Sequence, residues 1–148
     1  MTIRGFGKAT KQMIDEFEKH IGFALPQDYR EFLMEYNGGS TDNRYPSIFV
    51  KEIQESIPLH VLCGLNVPHL DLYQWNDEYR SDLLPNSLII GHDPSECMIV
   101  MICDSKDKGV YAWDHSWYFP QSSEESNIYW MAGSFSEFMK ALKEPEDG

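Results

Sequence analysis

The chain has 148 residues, of which 42% are hydrophobic and 14% aromatic, a composition that excludes a disordered chain and fits one domain with a buried core. Its net charge of −12 at pH 7 disfavours nucleic acid and anionic membranes as partners, because binding to either requires Lys and Arg. No apolar run reaches the roughly 18 residues of a membrane span, and residues 1–11 lack the hydrophobic segment of a secretory signal. We therefore expect a cytoplasmic protein.

The negative charge is concentrated in the second part of the chain. Residues 1–51 hold seven acidic and seven basic side chains, whereas residues 52–148 hold 17 acidic and five basic ones. Such a surface attracts a basic protein and speeds their encounter at low salt. Acidic soluble proteins are also common simply because charge keeps them soluble.

The spacing of apolar residues predicts four helices. Residues 10–20 follow Thr10, a suitable N-cap, and the stretch LPQDYREFLMEYNGG (25–39) places Pro26 at its start and Asn-Gly-Gly at its end. Residues 69–85 predict a third helix, and residues 134–144 a closing helix in which Ser134 and Glu137 have capping-box spacing.

Strand patterns lie between these helices. We predict strands at residues 47–50, 57–66, 87–91, 97–104 and 109–115. Turn-forming separators join the last three, which indicates an antiparallel meander. The sequence thus predicts an α+β fold, in which one domain (residues 1–148, with a short acidic tail at 144–148) has a mainly antiparallel sheet flanked by N-terminal helices and a C-terminal helix.

One polar cluster could support metal binding or acid–base chemistry. It consists of His92, Asp93, Asp114 and His115, two adjacent pairs at the ends of predicted strands. Residues adjacent in a strand point to opposite faces, and no H-x-x-x-H spacing is present. A structural role is therefore favoured, and we predict no catalytic residues, no metal and no cofactor.

The cysteines and tryptophans also favour structural roles. Cys63, Cys97 and Cys103 lack metal-ligand spacing and are too few for a disulfide framework, so we expect reduced thiols. Trp113, Trp117 and Trp130 could stack on a ligand, but aromatic residues in a small α+β domain usually belong to the core.

Three motifs occur in order along the chain: an LP-x-x-Y-x-x-F-L-x-x-x-NGG helix, an IG-x-D turn followed by a VY-x-WDH strand, and an SF-x-x-F closing helix. The matching residues are Leu25, Pro26, Tyr29, Phe32, Leu33, Asn37, Gly38 and Gly39; Ile90, Gly91 and Asp93; Val110, Tyr111, Trp113, Asp114 and His115; and Ser134, Phe135 and Phe138. Together these motifs resemble the SUKH superfamily in its branch related to the fungal cell-wall-assembly regulator. These residues occupy apolar or turn positions, so we interpret them as determinants of the fold.

The resemblance implies a function. Bacterial members of the superfamily are immunity proteins that bind and neutralise toxin domains, many of them nucleases, and eukaryotic members are regulatory interaction domains. The leading hypothesis is therefore a non-catalytic immunity protein with a basic toxin domain as partner. A regulatory scaffold and a metal-dependent enzyme remain the alternatives. We predict partner contacts at acidic and aromatic residues of the middle and the loops: Asp71, Asp77, Glu78, Asp93, Glu96, Trp117, Glu124 and Glu125.

Overall fold

The computed structural model describes residues 3–95, 97–104, 106–123 and 126–144. Within them the chain forms four α-helices and nine strands. The helices are α1 (Lys11–Ile21), α2 (Gln27–Glu35), α3 (Leu72–Tyr79) and α4 (Phe135–Ala141), and a 3-10 turn (Arg80–Asp82) follows α3. The strands are β1 (Arg4–Gly5), β2 (Gly39–Ser40), β3 (Ser47–Val50), β4 (Glu55–Pro58), β5 (Val61–Leu62), β6 (Ser87–His92), β7 (Met98–Ile102), β8 (Gly109–Trp113) and β9 (Ile128–Ala132).

Seven strands make one antiparallel sheet in the order β1-β2-β5-β6-β7-β8-β9, and β3 pairs with β4 in a separate hairpin. The predicted α+β fold and antiparallel meander are confirmed, since β6, β7 and β8 are sequential neighbours. None of the helices in the described part of the chain is long and apolar enough to span a bilayer.

The main hydrophobic core covers one face of the large sheet. Alternate residues of the central strands point into it, as period-2 geometry requires: Leu88, Ile90, Ile99, Met101, Val110 and Ala112. Helices α1, α2 and α4 add apolar side chains such as Phe17, Tyr29 and Phe138, each without exposed surface.

The helix ends follow local chemistry. Thr10 caps α1, because its Oγ1 accepts a hydrogen bond from the Met13 N–H at 3.1 Å. Ser134 caps α4 in the same way through the Glu137 N–H, also at 3.1 Å. The Glu137 carboxylate returns to the Gly133 N–H, one residue before the position that the capping box predicts.

The NGG segment connects α2 to the sheet. The Asn37 side chain donates to the Leu65 carbonyl at 2.9 Å and accepts from the Leu65 N–H at 2.8 Å. Gly38 has φ +83°, and a Cβ there would lie 2.6 Å from the Cys63 carbonyl oxygen. Only glycine fits both the backbone angle and the close approach of two chain segments.

Three sequence predictions were wrong in detail. Residues 57–66 do not form one strand, because Pro58 ends β4 in the hairpin and Val61 starts β5 in the main sheet. The third helix is shorter than residues 69–85, since Asp71 caps it and the 3-10 turn ends it at Asp82. Strand β9 was missed. Its alternation of buried and exposed residues is hidden by aromatic and apolar side chains on both faces.

Candidate functional site

The outward face of the large sheet is only partly covered. Ile89, Met98 and Val100 form a second, smaller cluster on this face, under Trp75 and Tyr79 of α3. The cluster ends at Leu83 and Trp113. Helix α3 therefore shields β6 and β7 and leaves much of β8 and β9 in contact with solvent.

Beside α3, the uncovered part of this face forms a groove of about 470 Å³. We call it the aromatic groove. The described residues that line it are Asp82, Leu83, Leu84, Ser87, Val100, Trp113, His115, Trp117, Asn127 and Ile128. The 82–84 segment forms one side and the loop after β8 supplies Trp117.

The aromatic surface continues along β8 and β9. Trp113 pairs with Ile128, and two residues further along the strands Tyr111 pairs with Trp130. Trp130 is 55% exposed and Trp117 is 52% exposed. The expectation that these two tryptophans belong to the core was therefore wrong, because one faces outward from a strand and the other lies on a loop.

Asp114 positions the loop that carries Trp117. Its carboxylate accepts hydrogen bonds from the backbone N–H groups of Tyr118 (2.9 Å) and Phe119 (2.8 Å) and from the Ser122 hydroxyl (2.6 Å). Its carbonyl accepts from the Trp117 N–H at 3.2 Å. Trp117 is held at φ +57°, in the left-handed region that bulky side chains rarely adopt.

These hydrogen bonds decide the charge state of Asp114. Burial by itself raises the pKa of the carboxyl group, but the hydrogen bonds from Ser122, Phe119 and Tyr118 favour the ionised form and together lower the pKa below its ordinary value. Asp114 is thus a buried, ionised carboxylate, and both of its oxygens accept hydrogen bonds from the loop that follows β8.

Asp93 has a similar structural position in the β6–β7 turn. It is 5% exposed, and its Oδ1 accepts from the N–H groups of Ser95 (2.8 Å) and Cys97 (3.0 Å). Burial raises the pKa of this carboxyl group, and the two backbone hydrogen bonds offset the rise only in part.

The quartet considered for metal or acid–base chemistry is near in space but not assembled. His92 pairs with Met98, which in turn pairs with Trp113, so the end of β6 and the end of β8 lie on the same side of the sheet along the strand direction. His115 packs between the rings of Tyr79 and Trp113. Among the described residues, no three His, Cys, Asp or Glu side chains form a group suited to a metal ion.

The three thiols are free and shielded. Burial raises the pKa of Cys63 and of Cys103 to about 12, and it also raises the pKa of Cys97. A thiolate nucleophile is therefore not populated at neutral pH.

The acidic residues predicted to contact a partner lie in different places. Asp71 caps α3 and accepts from the Asn66 and Tyr73 N–H groups. Asp77 and Glu78 are exposed on α3, and Asp77 contacts His20 at 2.7 Å. Trp117 lines the aromatic groove, whereas Asp93 has little surface to offer a partner.

Glu96, Glu124 and Glu125 lie outside the described residues. Sequence reasoning did not single out Leu84, Ile128 or Trp130 as surface residues. For Trp130 the available signal was alternation, because its neighbours Tyr129 and Met131 are both buried and adjacent strand residues point to opposite faces.

These features define an α+β protein with one large antiparallel sheet and an aromatic groove on its outward face. Residues 8–141 match the SMI1 / KNR4 family (SUKH-1), and the chain belongs to that family. The resemblance to the SUKH superfamily is thereby confirmed. The family is generally non-catalytic and points to protein–protein interaction and to an immunity-type or SMI1-like protein.

A curated relative is the SPbeta prophage-derived uncharacterized protein YokK of Bacillus subtilis (strain 168). The two sequences are 28% identical over an alignment 149 residues long, which covers 90% of this chain and 74% of the relative. The alignment thus extends over nearly the whole fold described above.

Proposed function

We propose that this chain is a cytoplasmic immunity protein that binds and neutralises a toxin domain without catalysing a reaction. The observation that carries the proposal is family membership over residues 8–141, because immunity-type proteins are one of the two kinds that the family supports. Asp93 and Asp114 are buried and accept internal hydrogen bonds, which agrees with structural roles for these carboxylates instead of acid–base chemistry.

The charge of the chain supports a basic partner. Of the net −12, all arises from residues 52–148. A nuclease toxin has a basic cleft for phosphates, and an acidic protein that covers this cleft prevents nucleic acid from entering. The proposed mechanism is therefore stoichiometric occlusion of the toxin.

A growth assay tests this function. A candidate toxin domain, the C-terminal domain of a large protein whose gene lies just upstream of the gene for this chain, is expressed alone, with this chain, and with an unrelated acidic protein of similar size and charge. We expect loss of growth with the toxin domain alone, rescue by this chain, and no rescue by the charge-matched control.

Two results would contradict the proposal. If the charge-matched protein rescues equally well, neutralisation requires only negative charge. If this chain gives no rescue from a domain that is toxic, the regulatory scaffold becomes the better interpretation, and partners are then sought among proteins of the native lysate.

A further inference from the structure

We propose that the aromatic groove is the partner-binding surface and that it takes an arginine-bearing basic segment of the partner. The inference rests on the proposed function, which it deepens by naming the surface and the chemistry of the segment. Three observations carry it: the shape of the groove, its charge and the strained backbone at Trp117.

The shape fits the insertion of partner side chains. The groove volume of about 470 Å³ falls within the range of roughly 300–1,000 Å³ that binding pockets usually have. Its floor is apolar, formed by Val100, Trp113 and Ile128. Leu84 on one side and Trp117 on the other are 50% and 52% exposed, which is high for large apolar side chains.

The charge favours a cation. The lining residues come from two stretches, 81–105 and 109–139, that contain no Lys or Arg. Arg80 is the nearest cation in sequence, but its guanidinium donates to the Ser87 carbonyl at 2.6 Å and is thereby held against the backbone. Asp82 lines the groove, and the exposed Glu78 lies one helical turn earlier.

Arginine suits this combination better than lysine does. A guanidinium stacks on indole and phenol faces and forms paired hydrogen bonds with a carboxylate, whereas an ammonium is a compact, strongly hydrated charge. Trp113, Trp117 and Asp82 all line the groove, so indole rings and a carboxylate are both available to a bound guanidinium.

The backbone at Trp117 points to the same surface. A tryptophan at φ +57° costs free energy, and such strain persists where the surrounding structure enforces it, frequently at binding sites. Here Asp114 enforces it through the hydrogen bonds of the loop. In this strained conformation the Trp117 side chain is exposed to solvent.

A peptide titration followed by NMR tests the chemistry without a toxin. The probe is an acetylated and amidated Arg-Gly-Arg-Gly-Arg-Gly peptide, and the matched control replaces each Arg by Glu. We expect the indole N–H signals of Trp113 and Trp117 to shift with the arginine peptide. The chemical shift of the Trp75 indole N–H should not change, because this N–H donates internally to the His69 carbonyl. Equal shifts with the glutamate peptide, or none at millimolar concentration, would overturn the proposal.

Binding to the toxin domain tests the surface. Two variants change the groove: Trp117→Gly, because glycine readily adopts φ +57°, and Asp82→Lys, at an exposed residue of the groove lining. Each should weaken binding about tenfold or more. The matched controls Phe49→Ala and Glu55→Lys lie on the separate β3–β4 hairpin, where Phe49 is 60% exposed, and should stay within about twofold of the wild type.

The outcomes separate this inference from the function. If the wild type binds the toxin and both groove variants bind equally well, the inference is wrong and the immunity function stands. If the arginine peptide shifts the groove indoles but the toxin domain does not bind, the immunity function fails and the chemistry of the groove stands.

Discussion

Single polar side chains organise the backbone of this protein at several places. Asp114 joins the end of β8 to the loop 117–122, and Asn37 joins the end of α2 to Leu65. In each case a buried side chain satisfies backbone or hydroxyl groups that lie outside the regular hydrogen bonding of the sheet. Within the NGG and WDH motifs, Asn37 and Asp114 thus act through the hydrogen bonds that they make.

The pKa of Asp114 predicts a dependence of stability on pH. Because the folded protein lowers the pKa of this carboxyl group, the stabilisation is present above the unfolded value of about 3.9 and is lost as the pH falls through the folded value. Asp93 has the opposite sign, since its raised pKa favours the folded state at low pH.

The variant Asp114→Asn should lower the free energy of unfolding by about 1–3 kcal/mol at pH 7, because an amide cannot replace every acceptor of the carboxylate. The difference from the wild type should shrink as the pH falls below about 4. Urea unfolding at pH 7, 5 and 3.5 measures it, with the exposed Glu55→Gln as control. A difference that is constant across these pH values would contradict the assignment.

At the scale of elements, the side-chain amide of Asn76 hydrogen-bonds α3 to the sheet, in addition to the packing of Trp75 and Tyr79. Asn76 is 1% exposed, and its side chain accepts from the Ile89 N–H at 2.7 Å and donates to the Ile89 carbonyl at 3.0 Å. The β6 backbone at Ile89 thus gains a partner from a helix, beyond the point where the short β5 ends.

Replacing Asn76 by Ala should lower the free energy of unfolding by about 2–4 kcal/mol, because two buried backbone groups of Ile89 lose their partner. The matched control Gln74→Ala, exposed on the same helix, should change it by less than about 0.5 kcal/mol. Urea midpoints of both variants test this expectation. Equal effects of the two substitutions would show that the amide does not fasten the helix.

The elements that the sequence predicted best are those with one strong local signal. The hairpin turns between β6, β7 and β8 and the caps at Thr10 and Ser134 all appear where the sequence indicated them. The two-residue strands β1, β2 and β5 are set by long-range pairing, which no local pattern records.

The aromatic groove was not predictable for the same reason. Its lining comes from four strands, the 82–84 segment and the loop after β8, and the distances between them depend on register. Trp117 was predicted as a partner contact, and Trp113 as part of a motif. Their common groove follows only from the position of α3, which covers one half of the outward face and leaves the other open.

At the scale of the whole molecule, the two parts of the chain differ in charge, although both contribute to the core. The balanced residues 1–51 supply α1 and α2 on the core face. The acidic residues 52–148 supply α3, most of the large sheet and the groove. The net charge of −12 attracts a basic partner before contact.

This charge predicts that salt slows the encounter with the toxin domain. The association rate constant should fall about tenfold or more between roughly 0.02 M and 0.5 M salt, because screening shortens the range of the attraction. The dissociation rate constant should change much less. Surface plasmon resonance at several salt concentrations measures both, and an association rate that is independent of salt would refute electrostatic steering.

The hydrogen bonds of Asp114 have a consequence for binding entropy. Residues 115–119 are ordered by the fold itself, since the carboxylate and carbonyl of Asp114 hold the N–H groups of Trp117, Tyr118 and Phe119. Fixing the backbone of a flexible residue costs about 1–2 kcal/mol at 25 °C. For five residues this amounts to about 5–10 kcal/mol, a cost met during folding. The indole of Trp117 is therefore preorganised before a partner binds. The free energy of the contacts between the partner and this indole is then not reduced by the cost of ordering the loop.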